Sequence, residues 1–241
     1  MTVLAAVLAA VSLAGAGSPD RLSGPDGAGA EQVWVLRPAG PVRRVVVFAH
    51  GWKHAPPSPS YPWVGQFRPW LDHLAARGSA VIFPRYQLGI GDSYDGGMAA
   101  DFEAGVRRGF AELGRPRVPV VAVGYSVGAA LVLTYGAEAR SWRLPVPVAV
   151  DAVFPAGPVP GVSLPPLPSR VRVLIQVGDS DTSAGSGGAR AFWAWLRPHR
   201  RKTYEVVRSH GAFLADHAAP KLVTPAGRAA FWAPLDRLIA G

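Results

Sequence analysis

The stretch VPVVAVGYSVGAALVLTYGAEA, residues 118–139, decides how the rest of the chain is read. Its opening VPVVAV is a short β-branched run without polar alternation, the pattern of a strand covered on both faces. The segment after Ser126 is apolar, rich in small residues and long enough for a helix. Between the two lies Gly124-Tyr125-Ser126-Val127-Gly128. A side chain at so sharp a strand-to-helix turn is forced outward, and the flanking glycines let the backbone turn without a Cβ clash. Ser126 is therefore the candidate nucleophile, and its surroundings set the fold.

Outward from this unit, apolar runs and helical patterns alternate along the chain. Strands are predicted over 42–49, 80–83, 146–150, 171–177 and 203–207, with 32–36 as an edge strand. Helical spacing occupies 61–76, 97–113, 126–139, 189–196 and 225–240, the first with Trp63, Phe67, Trp70, Leu71 and Leu74 on one face. Short Val/Ile/Ala runs alternating with helices imply an α/β fold: a doubly wound, mostly parallel sheet with helices on both faces. No linker or internal repeat divides residues 31–241, which read as one domain.

Three segments stand apart. Residues 1–16 form an apolar stretch without charge, ending in Ala14-Gly15-Ala16, and read as a signal peptide that implies export. Residues 17–30, rich in Gly, Pro and Asp, read as a flexible N-terminal segment. FPAGPVPGVSLPPLPS, residues 154–169, excludes regular structure by its prolines and is a candidate for a short cap.

Composition narrows the function. With 49% hydrophobic and 17% charged residues, the 241-residue chain has ample material for a core. Its net charge of +9 could favour anionic surfaces, but Arg outnumbers Lys 22 to 3 and the charges are scattered along the chain. No nucleic-acid reading motif accompanies them. The apolar leader is short and glycine-interrupted, which argues against a stable membrane span. Without a single cysteine, disulfides, thiolate metal sites and a cysteine nucleophile are impossible. The histidines and carboxylates do not group at metal-ligand spacings, and no cofactor is called for.

In open α/β sheets, ligand chemistry gathers beyond the carboxyl ends of the strands. Here the predicted strands run out into His50, Ser126, Asp151, Asp179 to Asp181, and Ser209-His210. A serine hydroxyl needs a base to take its proton. His210, on a loop just after a strand and before Gly211, is the expected base, whereas His217 is expected to cap or pack in the next helical stretch. The base in turn needs a carboxylate to orient it. Asp181 is favoured, Asp179 reads as a bonder of turn amides, and Asp151 stays open as an alternative acid. A developing oxyanion requires backbone N–H donors, for which Val127, directly after the serine, and Trp52, in the His50-Gly51-Trp52 loop, are the candidates.

Taken together, HGW at 50–52, GYSVG at 124–128, GDSD at 178–181 and SHG at 209–211 resemble the α/β-hydrolase superfamily, in the order nucleophile, acid, histidine. The resemblance runs from about residue 42 to the end of the chain. It implies a Ser126, Asp181, His210 triad with Trp52 and Val127 at the oxyanion hole, and a serine hydrolase of carboxylic esters, small or at an accessible polymer surface. The same triad could serve a thioesterase, amidase or perhydrolase, and the scaffold could carry a non-catalytic binding protein.

Overall fold

A computed structural model describes residues 22–54 and 63–241. The predicted leader, 1–16, lies outside them.

Eight strands form one sheet: β1 (Leu22–Asp26), β2 (Val33–Leu36), β3 (Arg44–Ala49), β4 (Ser79–Pro84), β5 (Val120–Tyr125), β6 (Ala149–Val153), β7 (Arg172–Gly178) and β8 (Lys202–Val207). They lie in the order β1-β2-β4-β3-β5-β6-β7-β8. β1 and β2 run antiparallel to their neighbours and every other pairing is parallel. The mostly parallel sheet expected from the apolar runs is thus present.

Side chains on successive residues leave opposite faces, so each central strand feeds two cores. Val45, Val47 and Ala49 of β3 point into one, with Phe102, Leu131 and Phe192. These come from α2 (Gly96–Glu112), α3 (Val127–Glu138) and α4 (Gly187–Trp195). Val46 and Phe48 point into the other, against Trp70 and Leu71 of α1 (Arg68–Ala76) and Leu235 near the C-terminus. There α5 (Pro225–Gly227) runs through a π-helical turn, Arg228–Trp232, into α6 (Ala233–Ala240). The continuous helix expected over 225–240 is therefore wound in three ways.

Two boundaries differ from the sequence reading in ways that matter. The 32–36 run is not an edge: β1 pairs outside it, although its sequence LSGPD carries turn-forming residues. Such a strand is tolerated because it is itself the edge, where a proline costs no ladder bond to a neighbour beyond it. Part of the segment read as flexible, 17–30, is thus strand. Second, β6 begins three residues later than predicted and runs through Asp151, which pairs with Val123 and Leu174 in mid-strand. Proline at 145 and 147 holds back the start.

The proline-rich 154–169 segment packs rather than projects. Val159 and Leu167 are buried, the Trp195 indole donates to Leu164 O, and Ala156 N donates to Ser126 O at 3.2 Å. Ala156, near its start, lines a crevice at the rim where β5 ends.

Candidate active site

The chain turns back at the sheet centre: β3 is followed by β4 on one side and then by β5 on the other. This reversal opens a crevice at the carboxyl ends of β3 and β5. Ser126 stands in it, with φ 59° and ψ −120°. A positive φ is strained for a residue with a Cβ, and the surroundings hold it. Ser126 N donates to Val153 O at 2.9 Å, while Ser126 O accepts from Ala129 N at 3.0 Å. The turn also needs its glycines. A Cβ on Gly124 would lie 2.2 Å from Gly128 O, and one on Gly128 would lie 2.3 Å from both Ala49 O and His50 O.

The ring that meets the serine belongs to His217. Its Nε2 lies 3.1 Å from Ser126 Oγ, and its Nδ1 lies 2.9 Å from Asp181 Oδ2. With Nδ1 donating to the carboxylate, Nε2 is left as an acceptor facing the hydroxyl. The other Asp181 oxygen accepts from Ser183 N at 2.8 Å and Ala184 N at 3.1 Å, which fixes the carboxylate from behind. The His217 ring lies between those of Tyr125 and Phe154, at 4.9 and 5.8 Å between centroids, and the Tyr125 hydroxyl donates to His217 O.

The sequence reading is corrected at this point. His210 is exposed, exchanges backbone hydrogen bonds with Phe213 at 2.9 Å each way, and is not part of the cluster. The reason is reach. Three strand spacings, about 14 Å, separate β8 from β5, and the three residues from Val207 to His210 span about 10 Å even fully extended. The loop must run farther and be steered. Asp179 accepts from Ser209 N at 3.0 Å and from Ser209 Oγ at 2.6 Å, and Ser209 Oγ accepts from Ala215 N at 3.0 Å. Ala215 O then packs so close to Gly178 that a Cβ there would lie 1.9 Å from it. Two residues later the chain delivers His217 over Asp181. Those bonds from Ser209 hold the exposed Asp179 carboxyl below its usual range. Asp179 is thus a loop clamp, and the amide it bonds is that of Ser209 across the rim and not one of its own turn.

Asp151, the other open candidate acid, faces the core beneath α6 and not the crevice. It is fully buried, neither carboxylate oxygen has a partner, and burial first, then the charge of Glu205, push its carboxyl well above the usual range. Asp216 caps the short 3-10 turn Ala219–Lys221 through the amides of Ala218 and Ala219, the task expected of His217.

The 50–52 loop lies against the serine: a Cβ on Gly51 would sit 3.1 Å from Ser126 Cβ and 2.7 Å from the Tyr125 ring. Val127 is the first residue of α3, where a helix amide has no acceptor within the helix. The indole of Trp52 lines the crevice and packs partly on the core. Two side chains that the sequence reading left without a role hold this loop. His50 is fully buried, stacks on Tyr86 at 4.3 Å and is pushed down to about 3, chiefly by burial, so it is neutral. Buried Gln87 brackets the next residue: its Oε1 accepts from Lys53 N at 2.7 Å and its Nε2 donates to Lys53 O at 2.8 Å. A lone glutamine after a strand carries no sequence signal for such a task.

The crevice holds about 500 Å³ and is lined by Ser126, His217, Trp52, Trp63, Ala156 and Lys221 among others. Among the described residues no group of three His, Asp or Glu is placed to hold a metal ion. No helix among them is long and apolar enough to cross a membrane.

No protein-family model and no curated relative matches the sequence. Solved structures do match. Esterase B from Lactobacillus rhamnosis, in a tributyrin phosphonate-inhibited form, is 17% identical over 87% of this chain and 80% of that one, with a TM-score of 0.63. Thermogutta terrifontis esterase 2, phosphoramylated by tabun, is 19% identical over 91% of this chain and 93% of that one, also at 0.63. The butyrate-bound form of the latter matches over the same shares at 19% identity, with a TM-score of 0.60. The likeness spans nearly the whole of both chains, and with the sheet order and the serine turn it establishes that this chain has the α/β-hydrolase fold.

Proposed function

We propose that the chain is a serine hydrolase of carboxylic esters that works through an acyl-enzyme. The observation that carries this reading is the unbroken contact from Asp181 through His217 to Ser126. His217 takes the hydroxyl proton as Ser126 Oγ attacks the ester carbonyl, and Asp181 stabilises the imidazolium that results. The amides of Val127 and Trp52 receive the oxyanion, the second held in place by Gly51, His50 and Gln87. Imidazolium then protonates the leaving alcohol and the acyl group stays on Ser126; water, giving its proton to His217, attacks the acyl carbonyl, the bond to Ser126 Oγ breaks, and the carboxylic acid leaves as Oγ takes the proton back. A crevice of about 500 Å³ suits esters of modest size. Structures of the same fold that bear an esterase name, one with butyrate and others with phosphorus inhibitors, support the choice of ester chemistry.

The test is hydrolysis of p-nitrophenyl esters from acetate to palmitate, with a fluorophosphonate label on the intact protein and on Ser126→Ala. Turnover and labelling that both vanish in the variant are expected. A wild-type protein that neither turns over any ester nor takes the label sinks the proposal.

A further inference from the structure

The crevice is cationic in a way ester hydrolysis alone does not require. Lys53 and Lys221 both line it, and among its described lining residues there is no Asp or Glu. Lys53 is only 5% exposed, with its ammonium donating to Gln66 and lying 5.2 Å over the Phe67 ring. The Lys221 ammonium lies 5.6 Å over the Tyr125 ring, beside the serine turn. Among the described residues neither takes part in an ion pair. Asp181 makes its hydrogen bonds with His217 and two amides, and Asp216, which acts on Lys221 only through its charge, with the amides of Ala218 and Ala219. The Lys53 ammonium, buried without an ion pair and repelled by that of Lys221, is costly to keep charged. Such an arrangement is relieved by an anion arriving from outside.

We propose that the substrate is an ester that also carries a carboxylate, such as a half-ester of a dicarboxylic acid, and that Lys53 and Lys221 receive the carboxylate while Ser126 faces the ester carbonyl. This rests on the serine-esterase reading above. Burial, then the Lys221 charge, bring Lys53 down to about 7, and burial lowers Lys221, with Asp216 opposing. Lys53 therefore loses its charge as pH rises through about 7, and a carboxylate bound beside it raises its affinity for the proton. The other titratable groups lining the crevice are His54, Tyr125 and His217, and His50, neutral by burial, lies close enough to feel the Lys53 charge.

The experiment separates binding from catalysis. Ser126→Ala protein is titrated calorimetrically with monoethyl adipate and diethyl adipate, while ethanol release from both esters is followed with the intact enzyme. At pH 6 the monoester should bind at least about tenfold more tightly than the diester. Adding Lys221→Met should reduce that ratio to about twofold or less, and Lys53→Met should act likewise. Lys221 is exposed on a surface turn, so its variant tests the idea even if the buried Lys53 proves necessary for folding. Above pH 7 monoester affinity should fall by up to tenfold per pH unit, with the diester as control for pH effects common to both esters. Equal affinity for the two esters, no binding of either, or a ratio that survives both substitutions overturns the proposal. The esterase reading is judged separately by ethanol release: a binding preference without turnover keeps the anion subsite and removes the reaction.

Discussion

The assignment of the base to His217 and not His210 can be tested by replacing each in turn. His217→Gln preserves much of the ring's volume between Tyr125 and Phe154 but removes the acceptor 3.1 Å from Ser126 Oγ and the imidazolium that Asp181 would stabilise. A positioned general base contributes about 10²–10⁴-fold, so kcat/KM on p-nitrophenyl butyrate should fall by about 3–5 kcal/mol of barrier, with KM little changed. His210→Ala removes an exposed ring whose side-chain contact is with Phe213 at 5.3 Å, and the backbone bonds to Phe213 survive the change. Its expected effect is within about twofold on kcat/KM and about 0.5 kcal/mol on stability. Urea unfolding of both variants separates a lost base from a lost fold. If His210→Ala loses a hundredfold or more while folded His217→Gln keeps its rate, the loop rearranges in solution and the geometry described above is not the working one.

Two further outcomes follow from buried polar groups. Gln87→Leu removes both side-chain bonds to the Lys53 peptide, leaving that N–H and C=O without their partners next to the Trp52 amide. Stability should drop by about 1–3 kcal/mol and kcat should fall more than KM rises, and a variant with wild-type kcat would show that the loop needs no such clamp. Asp151 keeps its proton in the fold, whereas an unfolded carboxyl loses it near the usual value of 3.8. Folded stability attributable to this group is therefore fully present below that value and declines as pH rises above it. Asp151→Asn, neutral throughout, should gain stability relative to the wild type as pH rises from 5 to 7 in denaturant titrations, and parallel pH profiles would refute the raised buried acid.

The parts of this protein legible in its sequence are those whose cause is local. β5, the turn at Ser126 and α3 are adjacent in the chain, and the glycines at 124 and 128 are dictated by contacts that arise wherever a strand bends straight into a helix. The turn Gly178 to Asp181 is local in the same sense, and the identity of the acid followed from its place beyond β7. The histidine was not legible because its position depends on a distance across the sheet. Ser209-His210-Gly211 looks right to a reading that counts residues from the end of a strand, but nothing in those residues says that β8 lies three strands from β5. Strand order would have supplied the missing length, and the Asp179–Ser209 clamp shows why the polar residue next to the strand is used for the loop and not for the chemistry. The same holds for the cationic wall of the crevice. Lys53 and Lys221 are 168 positions apart, each unremarkable beside 22 arginines, and only the fold turns two of the chain's three lysines into neighbours at one serine. Long-range placement, which periodicity and local motifs do not encode, is thus what separates a recognisable hydrolase scaffold from the particular ester it accepts.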